Sequence, residues 1–261
     1  MSRGEQLELA LERVKAGKKS RRSAQARGRN RSRKPVGRRA SPERKGFVVH
    51  KARPSHHRRH PVHVTMRRVR LGPSFRAQLI YDTILAELRE AKHRGVRVVY
   101  YSIQDNHLHL MVEGQDSSDL SKQMCLLFSR VAMAVNAIAR RHGALFRDRH
   151  QRVELSSPTQ VRNALVYILF NHRKHANAGA LMSGDVKYTL DAFSSAAWFE
   201  GWAPNARPPP ELIALARSHS PPDTASRPRT WLAQQGWMQG LIAGGRKGGP
   251  IRFDELPQHA N

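Results

Sequence analysis

The sequence predicts an α+β domain: a ferredoxin-like antiparallel sheet with helices on one face, a basic N-terminal arm before it and a loop-rich extension after it. Three observations predict this. Apolar periodicity switches between 2 and about 3.6 residues in the order β-α-β-β-α-β, and one further helix follows. Turn residues punctuate each switch. Apolar patterning is weak before residue 59, where Lys18 to Arg39 is mostly Arg, Lys, Ser and Gly. That stretch has too little to bury to offset its ordering entropy, so an arm unfolded when free is expected over 1–58. The folded domain is placed at 59–180 and the extension at 181–261.

The elements follow in order. A short amphipathic helix is expected over Glu5–Val14, with Leu7, Leu11 and Val14 on one side. Val62-His63-Val64-Thr65-Met66 alternates as a first strand, and Gly72-Pro73-Ser74 breaks it. From Phe75 to His93, Leu79, Ile80, Ile84, Leu85 and Leu88 recur at helical spacing, and Gly95 serves as C-cap. Val96 to Ile103 is a second strand. Gln104-Asp105-Asn106 turns it into a third strand as a hairpin. Ser118 to His142 is a long helix with Leu120, Met124, Leu127, Val131, Val135 and Ile138 buried; Gly143 ends it. Leu145 to Leu155 holds a basic loop and a short strand. Ser157-Pro158-Thr159-Gln160 opens the last helix, which runs to about His175: Ser157 caps it, Pro158 suits its first position and Gln160 completes a capping box. In the extension, Trp231, Leu232, Trp237, Leu241 and Ile242 are expected to line a helix pair.

Charge narrows the partners. The chain of 261 residues carries 46 Lys and Arg against 20 Asp and Glu, a formal charge of +26. Twenty of the 46 cations and only four of the 20 acids lie in residues 1–60. A charge of that size calls for a polyanion, with nucleic acid first. The arm is expected to run along a phosphate backbone. No run of 18 apolar residues exists to span a bilayer, and Met1–Ala10 lacks the basic-then-apolar order of a signal peptide. A cytoplasmic, nucleoid-associated protein is expected. The single cysteine, Cys125, excludes an internal disulfide and a cysteine-based zinc site, and is expected to be a small buried apolar group.

The chemistry-bearing pattern is Asn106-His107-Leu108-His109-Leu110. Alternate side chains share a strand face, so His107 and His109 point together, about 7 Å apart along the strand, while Leu108 and Leu110 point to a core. Two imidazoles on a rigid strand form half of a divalent-cation site. The last helix carries Tyr167 and Asn171 at i and i+4, one turn apart on one face. Asn171 offers a carbonyl oxygen suited to magnesium or manganese. Tyr167 would lie over such a cation as a nucleophile toward a phosphodiester. Arg67, Arg68 and Arg70 after the first strand, Arg147, Arg149 and Arg152 before the last helix, and Arg173 and Lys174 at its end are candidate DNA contacts. Trp198, Trp202, Trp231 and Trp237 can stack unpaired bases or pack internally, and packing is the expected role. His56, His57, His60 and His63 are expected to add pH-dependent charge, and His172 and His175 to be exposed.

These motifs resemble the single-tyrosine HUH transposases of insertion sequences, and most of all their REP-associated tyrosine transposase branch. The resemblance spans about 59–180 and rests on Arg59-His60-Pro61-Val62-His63-Val64-Thr65, on Asn106-His107-Leu108-His109-Leu110 and on Tyr167-Ile168-Leu169-Phe170-Asn171. Where members of that branch often continue Asn-Pro, this chain has Asn171-His172. The resemblance implies cleavage and rejoining of single-stranded, hairpin-bearing DNA through a 5′-phosphotyrosine. It implies Tyr167 as nucleophile, His107, His109 and Asn171 as ligands to Mg²⁺ or Mn²⁺, and leaves a homodimer open. A non-catalytic DNA- or RNA-binding protein on the same fold is the alternative.

Overall fold

The computed structural model describes residues 54–175, 189–242 and 245–255; the expected Glu5–Val14 helix and the basic arm lie outside them. Strands β1 (Val62–Arg67), β2 (Arg97–Ile103), β3 (His107–Glu113) and β4 (Gln151–Glu154) form one antiparallel sheet in the order β2-β3-β1-β4. Helices α1 (Gln78–His93) and α2 (Ser117–Ile138) are the two crossovers. Both pack on one face, as the predicted order requires. A third helix, α3 (Pro158–His175), covers the opposite face together with the extension.

Alternation decides which residues serve which face. Val62, Val64 and Met66 of β1 and Leu108, Leu110 and Val112 of β3 meet Ile84, Leu88, Met124, Leu127 and Val131 of α1 and α2 in a first core. The other side chains of β3 are His107, His109, Met111 and Glu113. They are buried as well, so this strand is closed on both faces. Strand β2 breaks alternation at a bulge between Val98 and Tyr100. The inserted residue lets Val98 and Tyr101 share the α1/α2 core while Tyr100 turns to the α3 side.

Local signals set the boundaries. Gln104 N donates to His107 O at 2.9 Å, closing the predicted hairpin. Asp116 Oδ1 accepts from Ser118 N and Asp119 N at 2.7 and 2.8 Å and starts α2. That helix stops four residues before the expected His142, because Arg140 takes a left-handed φ of 49° and Gly143 follows at 89°. At the start of α3, Gln160 N donates to Ser157 Oγ while Ser157 N donates back to Gln160 Oε1, the reciprocal cap read from the sequence. Cys125 is exposed rather than buried, on the outer side of α2.

Residues 189–255 hold little regular structure beyond α4 (Pro210–His219) and the single turn α5 (Trp231–Gln234). They pack nonetheless. The expected helix pair is this short turn followed by a 3-10 turn, with Trp231 and Leu241 exposed and Leu232 and Trp237 buried. Trp202 and Trp237 join Phe170, Phe199, Ile251 and Phe253 in a second core against α3. Gly201 lies flat beneath Trp237, whose ring carbon would come within 2.5 Å of any added Cβ. The buried Arg162 of α3 is held by Glu255 through two bonds of 2.6 and 3.1 Å. Glu255→Ala leaves that guanidinium buried without its anion, so a loss of about 3–5 kcal/mol is expected in urea unfolding; a change below 1 kcal/mol would show the pair to be dispensable.

Candidate functional site

The sheet face beneath α3 gathers the histidines. The register pairs Thr65 with His109, Arg67 with His107 and His63 with Met111. It follows that His63, Thr65 and Arg67 of β1 stand on the same face as His107 and His109 of β3. The His107 and His109 rings lie 4.6 Å apart at 89°. Both are held through Nδ1. His107 Nδ1 sits 2.6 Å from Asn106 Oδ1, and His109 Nδ1 sits 3.2 Å from His63 Nε2 and 3.1 Å from Thr65 Oγ1.

Tyr167 comes down onto this face from α3. Its ring meets His109 edge-on at 4.9 Å and His63 at 5.8 Å. Burial raises the phenol above its ordinary pKa, while the Arg67 guanidinium pulls it down. Burial drives His63 down to about 4, so this imidazole is neutral near pH 7. That corrects the expectation that His63 supplies pH-dependent charge.

Asn171 is fully buried, and neither its Oδ1 nor its Nδ2 has a hydrogen-bond partner. An unsatisfied buried amide costs about 1–3 kcal/mol, and such groups concentrate where something else is to be held. The helix does not run straight from Tyr167 to Asn171. Phe170 leaves helical geometry, at φ −118° and ψ 16°, so the simple i, i+4 stack is bent between them. At the bend, Phe170 packs against Trp202 and Phe253, with the Arg173 guanidinium 4.1 Å over its ring.

Among the described residues, no group of three His, Cys, Asp or Glu is placed to take a metal. A cation held by His107 and His109 would draw any further protein ligand from another residue type, such as the carboxamide of Asn171. Two imidazoles and a carboxamide oxygen suit manganese or magnesium better than a thiophilic metal.

The predicted DNA contacts separate into two groups. Arg67, Arg70, Arg147 and Arg149 are exposed near the His107 end of the sheet, and Arg147 N donates to Arg67 O at 3.0 Å. Arg173 is no surface contact: it is 1% exposed, its Nη1 donates to Phe253 O and its Nη2 to Thr189 O. Arg68 is spent on its own loop, bonding Asp105, Val69 O and Arg70 O. Arg152 shares the α1/α2 side with Val64, opposite the histidines, and donates to Pro54 O. The Lys174 and His175 side chains lie outside what the structure describes. His172 is enclosed rather than exposed, 3.1 Å from Thr189 O, and burial lowers its pKa.

His63, Thr65 and Asn106 were not read from the sequence as parts of this site. The period-2 pattern of β1 put His63, Thr65 and Arg67 on one face, but only the pairing register brings that face beside His109. Trp202 and Trp237 pack as expected. Trp198 is held by Ser220 O at 2.7 Å, with Arg217 over its ring. Trp231 alone is half exposed.

No family model matches this chain, and no curated protein matches it. Among solved structures it is similar to a REP-associated tyrosine transposase bound to a REP hairpin, at a TM-score of 0.44 and 14% identity over 56% of this chain and 81% of that one.

The neutral state of His63 is open to direct measurement. Burial holds its folded pKa below the unfolded value near 6.5, so it stabilises the fold above that pH and the stability is lost as pH falls from about 6.5 toward 4. A His63 ring titrated by NMR should turn over near 4. A midpoint near 6.5 would place the ring in water.

Proposed function

We propose that this chain is a divalent-metal-dependent tyrosine endonuclease and strand transferase acting on single-stranded or hairpin DNA. The observation that carries the reading is that Tyr167 of α3 stands over His107 and His109 on one sheet face, while Asn171 of the same helix is buried with its amide unpartnered. A pure binder has no use for that set.

The ligands would be His107, His109 and Asn171, with each imidazole turned by its Nδ1 contact so that Nε2 is the ligating atom. The bound cation supplies Lewis-acid polarisation of a phosphate oxygen. Tyr167 is the nucleophile: its phenol oxygen bonds the phosphorus, the P–O3′ bond breaks, and the phenol proton ends on the departing 3′-oxygen. The product is a 5′-phosphotyrosine and a free 3′-hydroxyl. Because the phosphoester is retained, a second 3′-hydroxyl can reverse the step and join a new strand. Arg67, whose charge acts on Tyr167, would hold the phosphate and lower the cost of the phenolate. The exposed Arg70, Arg147 and Arg149 would hold flanking phosphates, positioning the strand without reading bases.

His63 is proposed as a positioning residue. As a neutral acceptor, its Nε2 would accept a hydrogen bond from His109 Nδ1–H and so fix the tautomer that leaves His109 Nε2 to a cation.

The chemistry is tested with 5′- and 3′-labelled hairpin DNA and Mn²⁺ on a denaturing protein gel. A covalent adduct carrying the 3′ segment, lost in Tyr167→Phe and in His107→Ala, is expected, with DNA binding retained in both variants. Cleavage without an adduct would mean a water-using hydrolase. Binding with neither, across hairpins from its own flanking sequence, would mean a non-catalytic DNA- or RNA-binding protein.

The positioning role has a separate readout. In His63→Ala the affinity for Mn²⁺ should fall about 10- to 100-fold in a direct binding titration, with partial rescue in His63→Gln. Unchanged Mn²⁺ affinity would remove His63 from the site.

A further inference from the structure

At the end of the sheet opposite His107, a cleft of about 590 Å³ opens between the turn that joins α1 to β2 and the segment 222–229. Its walls carry Lys92, Arg97, Arg227 and Arg229 and no acidic side chain. Lys92 and Arg97 are already committed to its construction. Lys92 Nζ donates to Asp223 O and Ala225 O at 2.7 and 2.9 Å, and Arg97 Nη2 donates to Arg227 O at 2.6 Å. Ser226 N donates to Val98 O at 2.7 Å, which ties the same segment to the edge of β2.

Behind the wall lies Glu113, 3% exposed. Its carboxylate takes Arg229 N, Thr230 N and Thr230 Oγ1 at 2.8–3.0 Å and pairs with Arg97 at 3.2 Å. Its charge is consumed inside the fold, and what it does is hold the backbone from which Arg229 projects. The Arg227 and Arg229 side chains are exposed, and neither guanidinium meets a carboxylate or carbonyl of the described residues. Two unspent guanidinium forks over a concave wall with two further cations match phosphate geometry.

We propose that this cleft binds the phosphodiester backbone of a nucleic acid, as a second anchoring point remote from the histidine face. Glu113 lies six residues along β3 from His107, about 20 Å at 3.4 Å per residue. That is about six steps of a nucleic-acid duplex, so one molecule can occupy both places. The open shape favours a chain passing through over a small anion enclosed on all sides. The proposal rests on the reading above only in taking nucleic acid as the polymer; it needs no cleavage.

The test is binding of a 30-nucleotide hairpin DNA by fluorescence anisotropy over a salt series, with the full chain and without divalent metal. Arg227→Ala/Arg229→Ala should weaken binding to a similar degree for unrelated sequences and flatten the slope of log K against log salt by about 2, one per lost phosphate contact. Its melting temperature should match the parent, since neither guanidinium has a partner to lose among the described residues, and Arg227→Gln/Arg229→Gln, which keeps the aliphatic stems, should flatten the slope equally. An unchanged slope overturns the proposal. So does calorimetric binding of inorganic pyrophosphate that the double substitution abolishes while leaving the DNA slope intact, because the cleft would then serve a small phosphate. A flattened slope in a chain that forms no covalent adduct would keep the cleft and discard the tyrosine chemistry.

Discussion

The β1–β3 register is the constraint on which the site depends. Because side chains alternate with a period of two, a slip of one residue would send His107 and His109 into the α1/α2 core and bring Leu108 and Leu110 beneath the tyrosine. The register is fixed from the other side of the sheet. Val62, Val64 and Met66 interleave with Leu108, Leu110 and Val112 and have nowhere else to be buried. The apolar half of each strand thereby sets the polar half. The same pairing that seats Leu110 beside Val64 seats Thr65 and His63 against His109. Burying polar groups on this face is costly, and the cost is met by mutual contacts: Asn106 for His107, His63 and Thr65 for His109. On α3, Asn171 is left unsatisfied.

How legible this was depends on how local each signal is. The order of elements along the chain, the hairpin at Gln104–Asn106, the reciprocal cap at Ser157 and Gln160, and the shared face of His107 and His109 follow from near-neighbour chemistry, and all are present. His63 was visible on the correct face of β1, but its role depends on a partner 46 residues away. Arg173 looked like a surface cation beside a basic helix end. Its burial comes from Phe170 and Phe253, the latter 80 residues on in a stretch without periodicity. The bulge near Val98 shows the same limit. A continuous apolar run, Val98 to Tyr101, served two faces, which period alone cannot separate.

The extension is the least predictable part of the chain and does the most to shape the tyrosine helix. A helix lying on a polar sheet face has few apolar contacts below it; here Met111 and the partly buried Tyr100 are the sheet's share of the second core. The rest is supplied from above and behind by Phe199, Trp202, Trp237, Ile251 and Phe253. These residues hold α3 down, and Trp202 and Phe253 pack on Phe170, the residue at which the helix leaves helical geometry.

That bend sits between the two residues of α3 that matter. In a straight helix, Tyr167 and Asn171 would lie one above the other at a separation fixed by 3.6 residues per turn. With Phe170 at φ −118°, that simple relation no longer holds between them, and Arg173 fastens the end of the helix through the carbonyls of Phe253 and Thr189. On the proposed reading, Tyr167 and Asn171 would have to be held to within about half an ångström of their working positions. Aromatic packing and buried guanidinium bonds lie where that spacing departs from simple helix geometry. The extension therefore belongs to the packing that holds the tyrosine-bearing helix.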